Sequence, residues 1–317
     1  MPSVSAKHIL RAIAVTLTLG LTIAACGTDG QTGEDGVLVV ATTSIIADIA
    51  SNVVGDDGVV EFLIPLGTDS HDFSASAQQA ARLAEADLVV ANGLGLEASM
   101  MDVLESAKAD DTTILELAPL VDPIPFAGPE HEEADEADDD DHGDDPHFWM
   151  DPVRAGSAAI ALAESLTAAS PDGNWLSRAE AYAGEMEATD AAIREMVEDL
   201  PEQSRKIVTN HEAFGYFAQR YGFEVVGVVI PGGSTLAEPS SAELAELVDV
   251  MRQEDVRVIF GETSSPSNLA DAVAAELGEE VTVIELFTES LGPSGSEAET
   301  LSEMLLVNTQ RIVAALG

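Results

Sequence analysis

Short apolar runs alternate with amphipathic stretches along most of the chain. Runs of four to eight apolar residues bounded by turn residues are typical of buried strands, whereas apolar residues three and four apart are typical of helices. The strand-like runs are VLVVATT, VVEFLIPLG, DLVVANG and TTILEL in the first half, and RKIVTN, FEVVGVV, VRVIFGE and VTVIEL in the second half. Helix-like stretches separate them. This alternation predicts an α/β fold with mainly parallel sheets covered by helices.

The alternation is interrupted in the middle of the chain. Between residues 122 and 145 the hydrophobic periodicity disappears and acidic residues dominate. A helix that opens at DPVR follows, and a second helix of about 25 residues lies between two prolines. We therefore predict two α/β lobes, residues 37–170 and 201–317, joined by one long, rigid backbone helix within residues 171–200.

The N-terminus has the pattern of an export signal. Lys7 and Arg11 precede the apolar run AIAVTLTLGLTIAAC, which is too short for a membrane-spanning helix of about 20 residues. IAAC resembles a bacterial lipobox, in which Cys26 becomes the lipid-modified first residue of the mature protein. We expect a signal peptide over residues 1–25 and a flexible tether over residues 26–36. An ordinary secretory signal with a chance cysteine is the alternative.

Composition narrows the classes of function. The 317-residue chain has 58 Asp and Glu residues against 13 Lys and Arg residues, a formal net charge of −45. Such a charge repels nucleic acid and anionic lipid and attracts cations, so we expect no nucleic-acid partner and membrane contact only through the lipid. Cys26 is the only cysteine, which excludes disulfides within the chain and thiolate metal sites.

Three of the six histidines lie at the ends of predicted elements. His71 follows the second predicted strand, His147 directly precedes a helix, and His211 ends the first strand of the second lobe. Ligands of open α/β sheets bind beyond the carboxyl ends of the strands, and imidazole is the commonest protein ligand for zinc. A lone loop histidine is usually a surface residue, but three at one presumed cleft favour a metal site.

The chain resembles one protein family in six segments: GTDSHDFSASAQQAARLAEADLVVANGLGLE, DPHFWMDP, TNHEAFGYFAQRYG, EPSSAELAELV, VIFGE and LFTES. These segments are similar to those of the solute-binding receptors of bacterial zinc and manganese ABC transporters, the helical-backbone metal receptors of cluster A-I. The resemblance covers essentially the whole mature chain. It implies a monomeric receptor that holds a metal ion between two lobes and feeds an ABC permease.

The resemblance also implies a ligand set. It assigns the metal to His71, His147, His211 and, in LFTES, Glu289, where the family usually has aspartate. Three imidazoles and one carboxylate suit a closed four-coordinate Zn²⁺ site, whereas Mn²⁺ prefers more oxygen ligands. Zinc is therefore the expected metal and manganese the alternative. Glu262 is a competing carboxylate ligand, and its other role is a hydrogen bond to a ligand imidazole.

The acidic run over residues 130–145 belongs to a loop that we place at residues 128–146. It resembles the His- and acid-rich loop that many zinc receptors insert before this histidine motif. On that interpretation, His131 and His142 capture zinc at low affinity and pass it to the cleft. A solvated, disordered linker is the alternative.

An enzyme is not expected. NHEAF lacks the second histidine of the HExxH metalloprotease motif because Gly215 occupies that position, and the chain has no GxSxG motif of serine hydrolases. Glu212 is interpreted instead as an acid in the first turn of a helix. A surface adhesin is the alternative from another class. The sequence thus predicts an exported zinc receptor, lipid-anchored to the outer face of the cytoplasmic membrane or periplasmic.

Overall fold

The computed structural model describes residues 36–126, 143–278 and 281–317. The strands within these ranges are β1 Val37–Ala41, β2 Gly58–Phe62, β3 Leu88–Ala91, β4 Ile114–Glu116, β5 Lys206–Thr209, β6 Glu224–Val228, β7 Val258–Glu262 and β8 Thr282–Leu286. They form two four-stranded parallel sheets, with orders β2-β1-β3-β4 and β6-β5-β7-β8. The predicted α/β class is therefore confirmed.

Helices follow most of the strands. The α-helices of the described residues are α1 Ser44–Val54, α2 Ala77–Ala84, α3 Met101–Ala109, α4 Pro152–Ala169, α5 Trp175–Glu198, α6 Gly215–Tyr221, α7 Ser241–Gln253, α8 Asn268–Leu277 and α9 Leu301–Leu316. Three of them begin at a capping box, in which a Ser or Thr side chain and a Gln or Glu three residues later bond each other's backbone N–H groups. The N-cap residues of α2, α7 and α9 are Ser76, Ser240 and Thr300.

The predicted long helix is α5, the longest of the described helices at 24 residues. Its buried side chains recur every three or four residues and so form one stripe along the helix. They are Trp175, Ala179, Tyr182, Met186, Thr189, Ile193 and Val197. Helix α4 packs closely against α5, because a Cβ atom added at Gly156 would lie only 3.1 Å from the Cα atom of Ala183. The absence of a side chain at Gly156 therefore sets the close approach of the two helices.

One apolar core connects the two sheets. It includes Val39 and Ala41 of β1, Ile207 of β5 and Phe260 of β7, together with the buried faces of α1, α4, α5 and α9. Smaller cores cover the other faces of the sheets, and Val40, between Val39 and Ala41, belongs to one of these. This alternation follows from the two-residue repeat of a strand. The core that runs through α4 and α5 holds both halves of the chain around the cleft.

Glu212 does not have its predicted position, and several predicted segments lie outside the described residues. The assignment of Glu212 to the first turn of a helix is wrong, because α6 begins at Gly215 and Glu212 precedes it. Its Oε1 atom instead accepts the backbone N–H of Gly232 at 3.2 Å, in the loop after β6. The predicted signal, tether and lipidated Cys26, and most of the acidic loop with His131 and His142, lie outside the described residues. Within the described ranges, no helix has the length and apolarity needed to span a membrane.

The stripe on α5 generates a test of the fold. We expect Ile193→Ala to lower the free energy of unfolding by about 2–5 kcal/mol, because the side chain is completely buried and its removal leaves a cavity. The control Glu195→Ala, on the exposed face of the same helix, should change it by less than about 0.5 kcal/mol. Urea denaturation of the metal-free protein measures both. Equal effects of the two substitutions would contradict the assignment of the buried face.

Candidate metal centre

The structure brings the four predicted ligand residues together. His71 lies in the loop after β2, His147 directly before the short turn that leads into α4, His211 just after β5, and Glu289 just after β8. The two sheets therefore both contribute, each from the carboxyl ends of its strands, as expected for open α/β sheets. All four side chains are buried.

The four side chains point at one another. The Nε2 atoms of His71, His147 and His211 lie 3.6, 3.3 and 3.3 Å from Oε1 of Glu289. The Nε2 atoms of His147 and His211 are 3.2 Å apart. A tetrahedral zinc ion with bonds of roughly 2.0–2.2 Å places its ligand atoms about 3.3–3.6 Å apart. These four distances lie close to the edges of such a tetrahedron, and all four ligand atoms lie within 4.8 Å of one another.

Two of the imidazoles are oriented by a carboxylate on their far side. Nδ1 of His147 lies 2.7 Å from Oδ1 of Asp145, which also accepts the backbone N–H of His147 at 2.9 Å. Nδ1 of His211 lies 2.5 Å from Oε1 of Glu262. Such contacts fix the tautomer and the direction of the ring, and so direct Nε2 into the cleft. Glu262 therefore lies behind His211 and outside the group of four.

Asp145 was missed in the sequence. It ends the acidic run that was interpreted as a solvated loop, yet its side chain is completely buried. Asp145 is buried because a carboxylate two residues before a histidine can accept hydrogen bonds from both the backbone N–H and the imidazole of that histidine. The spacing of Asp145 and His147 in DDPHF was the available signal.

His71 is held differently. Its backbone N–H donates to Oδ1 of Asp69 at 2.9 Å, and its carbonyl oxygen accepts the hydroxyl of Ser99 at 2.6 Å. Its Nδ1 atom has no hydrogen-bond partner within the described ranges. The loop conformation, rather than a carboxylate, therefore sets the position of this ring.

Side chains from the first half of the chain hold the segment that carries Glu289. The indole Nε1 of Trp149 donates to the carbonyl oxygen of Thr288 at 2.9 Å. The backbone N–H of Leu291 donates to the hydroxyl of Ser44 at 3.0 Å. These bonds lie on either side of Glu289, so the position of its carboxylate depends on the first half of the chain.

Residues just after β3 hold the backbone at Pro146, directly before His147. Oε1 of the buried Glu97 accepts the hydroxyl of Thr42 and the backbone N–H of Asn92, both at 2.7 Å. The side-chain amide of Asn92 then donates to the carbonyl oxygen of Pro146 at 2.9 Å. Asn92 and Glu97, the ends of the segment NGLGLE, thus support the ligand loop without reaching the cleft.

The cluster separates charge in the metal-free protein. Burial favours the neutral acid at Glu289, but the surrounding histidines outweigh it and hold the pKa of this carboxyl well below its usual range. Burial disfavours charge on His211, yet Glu262 and Glu289 outweigh it and raise the pKa of this imidazole well above its usual value. Asp145 and Glu289 likewise overcome burial and raise the pKa of His147. A bound metal must therefore displace protons.

These pKa shifts predict that the stability of the metal-free protein falls as the pH rises, whereas the extra stability conferred by Zn²⁺ increases. A raised imidazole pKa contributes stability that is fully present below about pH 6.5, the unfolded-state pKa, and is lost as the pH rises through the folded-state pKa. The depressed pKa of Glu289 contributes stability that is lost only as the pH falls well below about 4.5, so it is constant near neutrality.

We therefore expect the extra stability conferred by Zn²⁺ to increase between about pH 6 and pH 8, because ligating imidazoles must be neutral. Thermal unfolding with and without Zn²⁺ at a series of pH values measures it. Glu262→Gln is the comparison variant, since it removes the carboxylate that raises the pKa of His211 and should shift the rise to lower pH. A zinc effect that is constant over this range would contradict the assignment.

Comparisons with known proteins identify the family of this chain. The sequence profile of the family "Zinc-uptake complex component A periplasmic" (ZnuA) matches residues 39–315. The "Zinc-binding protein TroA" of Treponema pallidum is 33% identical over 317 residues, covering 97% of this chain and 98% of that protein. The "Manganese-binding lipoprotein MntA" of Halalkalibacterium halodurans is 28% identical over 308 residues, covering 96% of this chain and 97% of that protein.

Solved structures show the same fold. The periplasmic zinc-binding protein TroA of Treponema pallidum superposes with a TM-score of 0.76 at 32% identity, covering 89% of this chain and 99% of that chain. A Mn-bound periplasmic metal-binding protein of Candidatus Liberibacter asiaticus superposes with a TM-score of 0.73 at 25% identity, covering 89% of this chain and all of the other. Because the profile match spans most of the sequence, the chain belongs to the ZnuA family of periplasmic zinc-uptake components.

Proposed function

We propose that this protein is an extracytoplasmic receptor that binds Zn²⁺ in the cleft between its two lobes and delivers it to an ABC permease. The observation that carries the proposal is the group of four buried ligand atoms within 4.8 Å of one another, from His71, His147, His211 and Glu289. The printed names of the relatives, which describe zinc-binding and manganese-binding proteins, support a metal ion as cargo.

Zinc fits the donor set better than manganese. Zn²⁺ accepts imidazole nitrogen and carboxylate oxygen in a four-coordinate site, whereas Mn²⁺ favours a larger, oxygen-rich shell. Three of the four donors are nitrogen atoms. One observation favours the manganese alternative: Oε2 of Glu289 has no partner within the described residues, so a bidentate carboxylate would add a second oxygen ligand.

The donor set also favours a receptor over an enzyme. A catalytic zinc site keeps an open position for water or substrate, whereas four protein ligands complete a tetrahedral shell. The proposal includes a signal over residues 1–25, a lipid on Cys26 and a tether over residues 26–36. These features place a monomeric receptor at the outer face of the cytoplasmic membrane or in the periplasm. Some relatives carry "lipoprotein" in their names.

Release of the metal should occur by local movement. In the proposed lobes, residues 37–170 and 201–317, the apolar core continues through α4 and α5 from one sheet to the other. A wide hinge opening would expose part of this core, at a cost of about 25 cal/mol per Å² of apolar surface. We infer that small shifts of the ligand-bearing loops release the ion to the permease.

Competitive titration tests the proposed function. We expect the mature chain without its lipid-bearing Cys26, residues 27–317, to bind one Zn²⁺ more tightly than Mn²⁺. His71→Ala should lower the affinity for Zn²⁺ by more than roughly 100-fold. That is the largest loss expected when only a hydrogen-bond partner of a metal ligand is removed. Glu195→Ala, exposed on α5, is the control and should leave the affinity unchanged. Unchanged zinc affinity in His71→Ala, or tighter binding of manganese, would overturn the zinc assignment.

A deletion tests the proposed capture role of His131 and His142. The deletion should span residues 130–142 and retain Asp145, because Asp145 contacts His147. We expect the tight site to keep its affinity, and any additional weak zinc binding to disappear, since the removed residues lie outside the four-ligand group. Calorimetric titration of both proteins separates the two classes of site. Loss of the tight site would place the metal centre elsewhere.

A further inference from the structure

The two ends of the acidic loop meet in a short paired stem. Pro125 and Asp144 form an antiparallel bridge, and the backbone N–H of Asp145 donates to the carbonyl oxygen of Ile124 at 2.7 Å. We define the stem as residues 124–126 and 143–145. Its second leg ends at the carboxylate that orients His147.

A single hydroxyl from the second half of the chain bonds both legs of this stem. The hydroxyl of Tyr216, on α6, accepts the backbone N–H of Ile124 at 3.3 Å and donates to the carbonyl oxygen of Asp145 at 2.7 Å. Burial raises the pKa of Tyr216 to about 12, so the hydroxyl keeps its proton at neutral pH. The guanidinium of Arg154 lies 5.0 Å from the ring centre and covers its face.

We propose that Tyr216 is a positioning residue of the metal site and acts through Asp145 on His147. Its bond fixes the backbone of Asp145, and the carboxylate of Asp145 then fixes both the backbone and the imidazole of His147. This inference rests on the proposed metal-binding function. Tyr216 lies on α6, and His211 lies just before that helix. The same part of the second half therefore provides one proposed ligand, His211, and supports another, His147, which belongs to the first half.

This arrangement couples metal retention to the contact between the two halves. Separation of α6 from the stem would break both hydrogen bonds of the Tyr216 hydroxyl together and free the backbone of Asp145. His147 would then lose the fixed orientation that the carboxylate provides, and the ion would leave faster. A role of Tyr216 in packing alone predicts no such effect from removing only its oxygen.

Tyr216→Phe removes the hydroxyl and keeps the ring that packs under Arg154. The matched control is Tyr221→Phe on the same helix, which also loses a hydroxyl, bonded to Asp190 at 3.0 Å rather than to either leg of the stem. Asp145→Asn and the double variant with Tyr216→Phe complete a cycle. Zinc dissociation from the mature chain is measured with an excess of chelator, and thermal unfolding of the metal-free forms verifies that each variant folds.

We expect Tyr216→Phe to release zinc on the order of fivefold to tenfold faster, because it loses the one hydrogen bond that acts on His147, the bond to the carbonyl oxygen of Asp145. Asp145→Asn should release it roughly 10–100-fold faster, and the double variant no faster than Asp145→Asn alone, because both changes act on His147 by one route. Tyr221→Phe should match the parent protein.

Three results would overturn the inference while leaving the proposed function intact. Tyr216→Phe could release zinc at the rate of the parent protein, or Tyr221→Phe could accelerate release as much as Tyr216→Phe does. The third result is a double variant in which the effects of Tyr216→Phe and Asp145→Asn on the release rate add. If the parent chain binds no zinc tightly, the proposed function fails and the inference fails with it.

Discussion

The charge of a buried carboxylate governs this structure. Glu289 is removed from water at the meeting point of both halves of the chain, and an isolated buried carboxylate is prohibitively unfavourable. His147 and His211, whose imidazole pKa values are raised, offset this cost by holding protons next to its Oε1 atom. The same charge attracts a divalent cation once those protons leave. The cleft must therefore stay closed, and the apolar core through α4 and α5 keeps it closed.

Neither half of the chain contains a complete site. Trp149 and Ser44, from the first half, bond the segment that carries Glu289, which belongs to the second half. Tyr216, from the second half, bonds the stem that supports His147, which belongs to the first. These supports run in opposite directions across the cleft. The four-residue site is consequently a property of the assembled fold.

The sequence predicted those features whose cause is local. Strand runs, the long helix between two prolines and the position of His71 after a strand are determined by neighbouring residues, and the structure contains all three. The roles of Asp145 and Glu212 were not predicted, for two different reasons. Asp145 lies in a run of similar residues, and the partner of Glu212 is distant in the sequence. Composition does not distinguish Asp145 from the neighbouring aspartates, and only its spacing from His147 does. Glu212 accepts a hydrogen bond from Gly232, 20 residues away.

The paired stem has an evolutionary consequence. Because residues 124–126 and 143–145 already close the loop at its base, the length of the intervening sequence hardly affects the energy of closure. Each doubling of a flexible loop costs only about 0.6 kcal/mol. Insertions, deletions and changes of composition between the two legs can accumulate without displacing His147.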